Sequence, residues 1–322
     1  MRALDFTGPG EVVVIDDAPR PETKDGEVLV QCKYIALCGT NMGPYLGDGR
    51  WAELVAPSPP GWLGHENIGV IVESRADGWK VGDWVLAHPE EYNGFAEYII
   101  AIPEGLARLP QDAPDHAALV VAQPLATVLR AMVRTGPVIN QRVAVVGQGP
   151  MGLIFTQLMG RMGARQIIGI DKVGWRLPWA ERFGATDLVD PSKEDAVEKV
   201  KELTDGEMVD LCIEAVGHPD ALTLAAHLPR RQGRLYVFGV PHAESQEFPW
   251  FHTVCNETEI ITSMGPECKE YFQNAVDMII HGDVDLAAMV QPRMAWEDAP
   301  KAFQMYANPA EAEGSLKLTL EL

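Results

Sequence analysis

Basic residues are scarce in this chain: 26 lysines and arginines stand against 46 aspartates and glutamates in 322 residues, a net charge of −20. A surface of that sign repels phosphate backbones and anionic lipid, so nucleic acid and membrane surfaces are not expected partners. An anionic ligand would be held by a local feature, such as a helix N-terminus. Cysteine is also sparse. Cys32, Cys38, Cys212, Cys255 and Cys268 are an odd, scattered set with no C-x-x-C pair. That excludes a disulfide framework and a four-cysteine zinc knot, and leaves each as an expected small buried apolar residue. No apolar run approaches the roughly 18 residues of a membrane span. The opening MRALDFTGPG lacks the basic-then-apolar pattern of a secretory signal, so a cytoplasmic location is expected.

What is present reads as an ordinary globular protein of one large or two medium domains, with 47% hydrophobic and 22% charged residues. Up to about residue 120 the pattern is β: VVVID, GEVLVQCKYIAL, IGVIVES, DWVLAH and FAEYIIA are short runs between turn residues. The stretch from Gly39 to Gly64, rich in proline and glycine, reads as an irregular loop lining something. Near Ala122 the rhythm changes. PLATVLRAMVRTG reads as a helix, and strand-like and helix-like segments then alternate through RVAVVGQGPMG, QIIGID, VDLCIEAVG, GRLYVFGV and TEIITSMG. Such alternation predicts an α/β domain with a doubly wound parallel sheet. The tail adds a helix, CKEYFQNAVDMIIHG, and a strand, SLKLTLEL.

Gly147, Gly149, Pro150, Met151 and Gly152 lie in a G-x-G-x-x-G turn that follows an apolar strand and opens a helix. That context makes the pattern a dinucleotide fingerprint. Its glycines permit the tight turn, the approach of the pyrophosphate and close helix–strand packing. Asp171 ends the next strand, placed to accept the adenosine ribose hydroxyls and to repel a 2′-phosphate, so NAD is expected over NADP. Lys172 and Arg176 soften that preference. Val216, Gly217, Gly239 and Val240, at later strand ends, fall where a dinucleotide crosses the sheet.

Cys38 and Thr40 stand two residues apart, and the adjacent pair His65–Glu66 sits in a glycine-flanked apolar segment, LGHENIGV. A thiolate and an imidazole suit zinc, with a carboxylate or water completing four ligands. Here the chain resembles the zinc-containing medium-chain alcohol and polyol dehydrogenases. CGTN, GHENIGV, VGDWV, FAEYI, QPLATVLRA and VVGQGPMG occur in that family's order, and the resemblance covers essentially the whole chain. It implies a GroES-like catalytic domain over 1–122 and 266–322, and a Rossmann NAD-binding domain over 123–265. It also implies Cys38 and His65 as ligands of one catalytic zinc, with no structural zinc lobe.

Three positions depart from the family. Gln123 stands where many relatives carry a glutamate ligand, so the site is completed by Gln123, by Glu66 or by water, with Glu66 favoured as an at least transient anionic ligand. Its alternative role is an ion pair beneath the metal. Gly43 replaces the usual relay histidine, leaving a water chain as final proton acceptor. Asn41 replaces an aspartate and is expected to accept the imidazole N–H of His65. Thr40 would take the proton of a zinc-bound hydroxyl while hydride passes to NAD+.

Tyr45, Arg50, Trp51, Glu53 and Trp62, with Trp250, Phe251 and His252 opposite, mix aromatic and charged groups in a way that suits a polyol, sugar or aminocyclitol. The same aromatics would serve equally to pin a loop. Two rival readings stay open: a zinc-free medium-chain reductase of an activated double bond, and a non-catalytic NAD-binding regulator. By analogy with the family, subunits would pair as homodimers or homotetramers through TEIITS.

Overall fold

Apolar runs bounded by glycine and proline become strands throughout the N-terminal part of the computed structural model, which describes residues 1–47, 59–241 and 245–322. The chain divides into two units, Met1–Ala126 with Pro266–Leu322, and Thr127–Gly265.

In the first unit, β1 (Ala3–Gly8) and β2 (Glu11–Ile15) form an antiparallel ribbon. Then come β3 (Val28–Ala36), a short helix α1 (Met42–Leu46), β4 (Asn67–Ser74), β5 (Trp84–Ala87), β6 (Tyr98–Ala101) and β7 (Leu106–Arg108). Helix α2 (Ala122–Thr135) carries the chain across the boundary of the first unit at Ala126.

The second unit is built from β8 (Arg142–Val146), α3 (Pro150–Arg161), β9 (Gln166–Ile170), α4 (Leu177–Arg182), β10 (Asp187–Val189) and α5 (Ala196–Leu203). It continues through β11 (Val209–Glu214), α6 (Pro219–Ala226), β12 (Pro229–Val237), α7 (Trp250–Cys255) and β13 (Glu259–Thr262). The chain then re-enters the first unit with α8 (Phe272–Ile280), β14 (Arg293–Ala295), α9 (Ala299–Ala307) and β15 (Thr319–Glu321).

The first unit's main sheet runs β14-β15-β3-β4-β5-β7, with β6 also paired to β3. The returning segment is integral to it. β15 pairs antiparallel with β3, and Phe303 of α9 fills the core with its ring 5.3 Å from Phe6, 5.4 Å from Phe95 and 5.2 Å from Tyr45. Each such buried ring contributes about 1.5–3 kcal/mol relative to exposure.

In the second unit the order is β10-β9-β8-β11-β12-β13, every pair parallel. Counted from β8 this is the doubly wound order 3-2-1-4-5-6, whose switch point lies between β8 and β11. The alternation of segments predicts this sheet, and its central strands β8, β9 and β11 are buried along both faces as that architecture requires.

Several local expectations need correcting. The segment after Gly39 is not wholly irregular, because Gly39–Asn41 is a 3-10 turn that leads directly into α1. Tyr45 lies on α1 and is core, and Trp62 packs partly buried against the same cluster, so neither serves as a free loop aromatic. Arg50, Trp51 and Glu53 lie outside the described residues. The stretch Ala117–Thr135 is helical and apolar enough by length and composition to cross a bilayer, a run the sequence reading overlooks, but most of it is buried inside the protein. Cys255 is exposed, against the expectation of burial, whereas Cys32 and Cys212 are buried. The side chain of Cys268 falls outside those described.

Candidate active site

Strand register assembles the site of the first unit. Ile35 of β3 faces Asn67 of β4, and the Ala36 amide donates to the Glu66 carbonyl at 3.0 Å. Cys38, two residues past β3, therefore meets His65 and Glu66, the residues that lead into β4. On the other side Thr319 of β15 faces Ala36, and the Leu37 amide donates to Leu318 O at 2.9 Å, which delivers Lys317. Asn67 also faces Ala87 at the end of β5, which delivers His88. The glycine flanking this segment has a steric role, since a Cβ on Gly64 would lie 2.3 Å from the Phe95 amide nitrogen.

The sulfur of Cys38, a ring nitrogen of His65 and a carboxylate oxygen of Glu66 lie within 4.8 Å of one another, the one such cluster among the described residues. His65 Nδ1 sits 3.0 Å from Leu63 O. A carbonyl only accepts, so Nδ1 carries the proton and Nε2 is the atom left to face Cys38. Burial pushes the Cys38 thiol up and Glu66 adds to this, yet the hydrogen bond and charge of His65, with Lys317, bring it below its ordinary value. Burial correspondingly pulls His65 down, but the hydrogen bond and charge of Cys38, with Glu66, carry it to about 9. A thiol held below its ordinary pKa beside an imidazole is a soft donor set that binds zinc when both have released the protons at their donor atoms.

Asn41 does not accept from His65. Its Oδ1 takes the Cys38 amide at 2.7 Å, and its Nδ2 donates to Leu63 O at 3.1 Å, the same carbonyl that His65 uses. The amide thus orients the histidine through a shared acceptor. The Glu66 carboxylate is committed elsewhere: Lys317 Nζ lies 2.7 Å from Oε1 and 2.5 Å from Oε2, and also donates to Leu37 O at 3.0 Å. Both side chains are buried, with 0% and 1% exposure. In this arrangement Glu66 is the ion-pair partner beneath the cluster. Gln123 is buried in the first turn of α2, and the segment before it packs on β3 and β4. Gly43 is buried in α1. Thr40 Oγ1 is buried and has no hydrogen-bond partner among the described residues, a hydroxyl left available for a ligand.

Lys317 and His88 were not read from the sequence. The one visible signal for Lys317 is a lone cation in the apolar strand SLKLTLEL. His88 is 2% exposed, its Nδ1 bonded to Pro89 O at 2.9 Å, and its ring lies 6.3 Å from His65 and edge-on to Tyr92 at 4.7 Å. Burial, then the charges of His65 and Lys269, lower its pKa to about 3, so it stays neutral.

The other unit carries a constellation of its own. A Cβ on Gly152 would stand 1.7 Å from Gly147 O, and Gly147 itself has φ +92°, so both positions demand glycine. Gly149 caps α3 and Pro150 opens it, followed by Met151, leaving free N–H groups for a phosphate. Asp171, nearly buried, accepts from the amides of Gln148 at 2.7 Å and Val173 at 2.8 Å, and lies 3.6 Å from Arg176 Nη1. Lys172 beside it is exposed. Val216, Gly217, Gly239 and Val240 follow the ends of β11 and β12. Trp250 and Phe251 are exposed on α7, and the His252 ring lies 4.5 Å from that of His227.

Comparison with known proteins gives a consistent result. The alcohol dehydrogenase GroES-like domain family matches residues 24–111, and the zinc-binding dehydrogenase family matches residues 150–281. The chain is 28% identical to an L-threonine 3-dehydrogenase of Bacillus licheniformis, over 95% of each protein. It is 27% identical to a D-arabitol-phosphate dehydrogenase of Enterococcus avium, over 93% of each. Among solved structures, an alcohol dehydrogenase of Thermus sp. ATN1 superposes with a TM-score of 0.87 over the whole of both chains, at 23% identity. The first unit therefore carries the GroES-like fold and the second the parallel-sheet fold of nicotinamide-dependent dehydrogenases.

Proposed function

Because the chain belongs to the zinc-dependent medium-chain dehydrogenases, we propose that it interconverts a secondary alcohol and its ketone with NAD(H). The observation that carries this reading is the buried cluster of Cys38, His65 and Glu66, with the unpartnered hydroxyl of Thr40 on the same short segment as Cys38. Cys38 and His65 would hold zinc, with Gln123, Glu66 or water completing the set. Bound zinc supplies Lewis acidity that lowers the pKa of a coordinated hydroxyl toward neutrality. Thr40 Oγ1 would accept the proton of the substrate hydroxyl as hydride passes to the dinucleotide, giving up its own proton in turn. Asn41 and the Leu63 carbonyl keep His65 in the tautomer whose Nε2 is the donor atom. Gly43 contributes no relay group, so the proton passes on from Thr40 through water.

The glycine turn and the α3 N-terminus hold the pyrophosphate of the dinucleotide, which serves as hydride carrier. The two amide hydrogen bonds keep the Asp171 carboxylate fixed at the turn, facing the adenosine ribose, and this favours NAD over NADP. A polar alcohol of the polyol, sugar or aminocyclitol class is the substrate this reading favours, in keeping with relatives named for D-arabitol phosphate and L-threonine. It assumes a cytoplasmic homodimer or homotetramer, for which the edge strand β13 is the available pairing surface.

The test is elemental zinc in protein purified without chelator, beside His65→Ala, followed by a screen of polyols with NAD+. Zinc near one equivalent per chain, lost in the variant, supports the site. Protein that binds NADH yet holds no zinc refutes the metal half.

A further inference from the structure

Glu214 is fully buried at the C-terminal end of β11, beside the switch point of the parallel sheet, and the proposed chemistry gives it no role. Its side chain and its backbone serve two different turns. Oε1 accepts the amides of Val216 at 2.7 Å and Gly217 at 2.8 Å. The backbone carbonyl accepts the amides of Phe238 at 2.9 Å and Gly239 at 3.0 Å. Those two turns lie against each other. A Cβ on Gly217 would be 2.2 Å from Val240 O, and one on Gly239 would be 2.1 Å from the Gly217 nitrogen and 2.7 Å from Glu214 Oε2. That Oε2 has no hydrogen-bond partner among the described residues. The first turn also touches the phosphate turn, since a Cβ on Gly147 would be 2.5 Å from Val216 Cγ2.

Strand order says which end of the dinucleotide these turns meet. The phosphate turn follows β8, and Asp171, on the adenosine side, follows β9. β11 and β12 lie on the opposite side of β8. A dinucleotide with its pyrophosphate at Gly147–Gly152 and its adenosine toward Asp171 must therefore extend its nicotinamide end over the turns after β11 and β12.

We propose that Glu214 is a positioning residue for the nicotinamide half of the bound cofactor, stapling the 216–217 turn and the 239–240 turn into one surface. The proposal rests on the dinucleotide reading above. Burial pushes the Glu214 carboxyl up while the backbone amides of the two turns pull it back, and a buried amide left without its acceptor is costly. Loss of the side chain leaves the Val216 and Gly217 amides without an acceptor and loosens the 216–217 turn against the 239–240 turn, which the backbone carbonyl of residue 214 continues to hold. Asp171, which marks the adenosine side, follows β9 and is separated from the stapled turns by β8.

The experiment compares NADH and ADP binding to the full-length wild type, Glu214→Ala and Glu214→Gln, by fluorescence and calorimetry respectively. Glu214→Ala should weaken NADH binding roughly ten- to a hundredfold, the cost of leaving buried amides without an acceptor, and leave ADP binding within about twofold. Glu214→Gln keeps an acceptor oxygen for both amides and should restore most of the NADH affinity. If Glu214→Ala does not fold, Glu214→Asp, too short to reach both amides, should show the same selective loss. Parallel loss of ADP and NADH, unchanged NADH binding, or a Gln variant as impaired as Ala would overturn the proposal. A wild type that binds neither ligand would instead overturn the dinucleotide reading on which it rests.

Discussion

Replacing Lys317 with methionine isolates the energetic role of the ion pair beneath the metal cluster. Methionine keeps much of the volume and removes the charge together with the hydrogen bonds of the ammonium to Glu66 and Leu37 O. It strands the Glu66 carboxylate, 0% exposed, without the cation that lies 2.7 and 2.5 Å from its two oxygens. Breaking a buried pair on one side costs about 3–5 kcal/mol, a large part of a total stability of roughly 5–15 kcal/mol. For a unit of this size that is a fall in Tm of roughly 6–20 °C. The assay is thermal unfolding in the presence of chelator. The double variant Lys317→Met/Glu66→Leu should recover most of the loss, because no buried charge remains. Excess zinc should also restore part of the single variant's stability, since the freed carboxylate sits beside Cys38 and His65. The reasoning is refuted if Lys317→Met costs under about 1 kcal/mol, as an exposed pair would, or if the double variant is no more stable than the single one.

Three further outcomes are expected. Thr40→Val should lower kcat by roughly 10²–10⁴-fold, the usual contribution of a positioned proton acceptor, while zinc content stays unchanged; a fall below tenfold would remove Thr40 from the mechanism. Gly152→Ala should abolish NADH binding without loss of zinc, because the new Cβ would lie 1.7 Å from Gly147 O; normal NADH titration would contradict this. His88, lowered from 6.5 to about 3 by burial and the charges of His65 and Lys269, takes up its proton only on unfolding across that window. Stability should therefore fall as pH drops from 6.5 toward 3, with a slope of at most about 1.4 kcal/mol per pH unit from this group. A denaturation series on His88→Phe should show a shallower acid dependence; an unchanged slope would assign the acid sensitivity to other groups.

The parts of the site legible in sequence are those whose chemistry is local. A glycine fingerprint spans six residues, Cys38 and Thr40 share one turn, and His65 and Glu66 are adjacent. Each announces itself by residue types that packing alone would not choose. Lys317 and His88 are different. They reach the cluster through the pairing of β15 with β3 and of β4 with β5, and period-two alternation does not tell which strand lies beside which. The same blindness affects Tyr45 and Trp62. Composition marks them as aromatic in a loop-like segment, but only the arrival of Phe303 from α9, far along the chain, makes Tyr45 core. The misreading of Asn41 has another source, because its partners are the Cys38 amide and the Leu63 carbonyl, and backbone groups are invisible to residue type.

The divided first unit also imposes an order on synthesis. Residues 127–265 are contiguous and can complete their own parallel sheet while the chain is still being made. The sheet that carries Cys38, His65 and Glu66 cannot. Its place beside β3 stays open until β15 emerges from the ribosome, and Glu66 lacks its cation until residue 317 has been added. Through most of translation Cys38 and Glu66 are both present in the chain without the lysine that pairs with Glu66 in the finished sheet. That interval is when a divalent cation meets the least competition for Glu66.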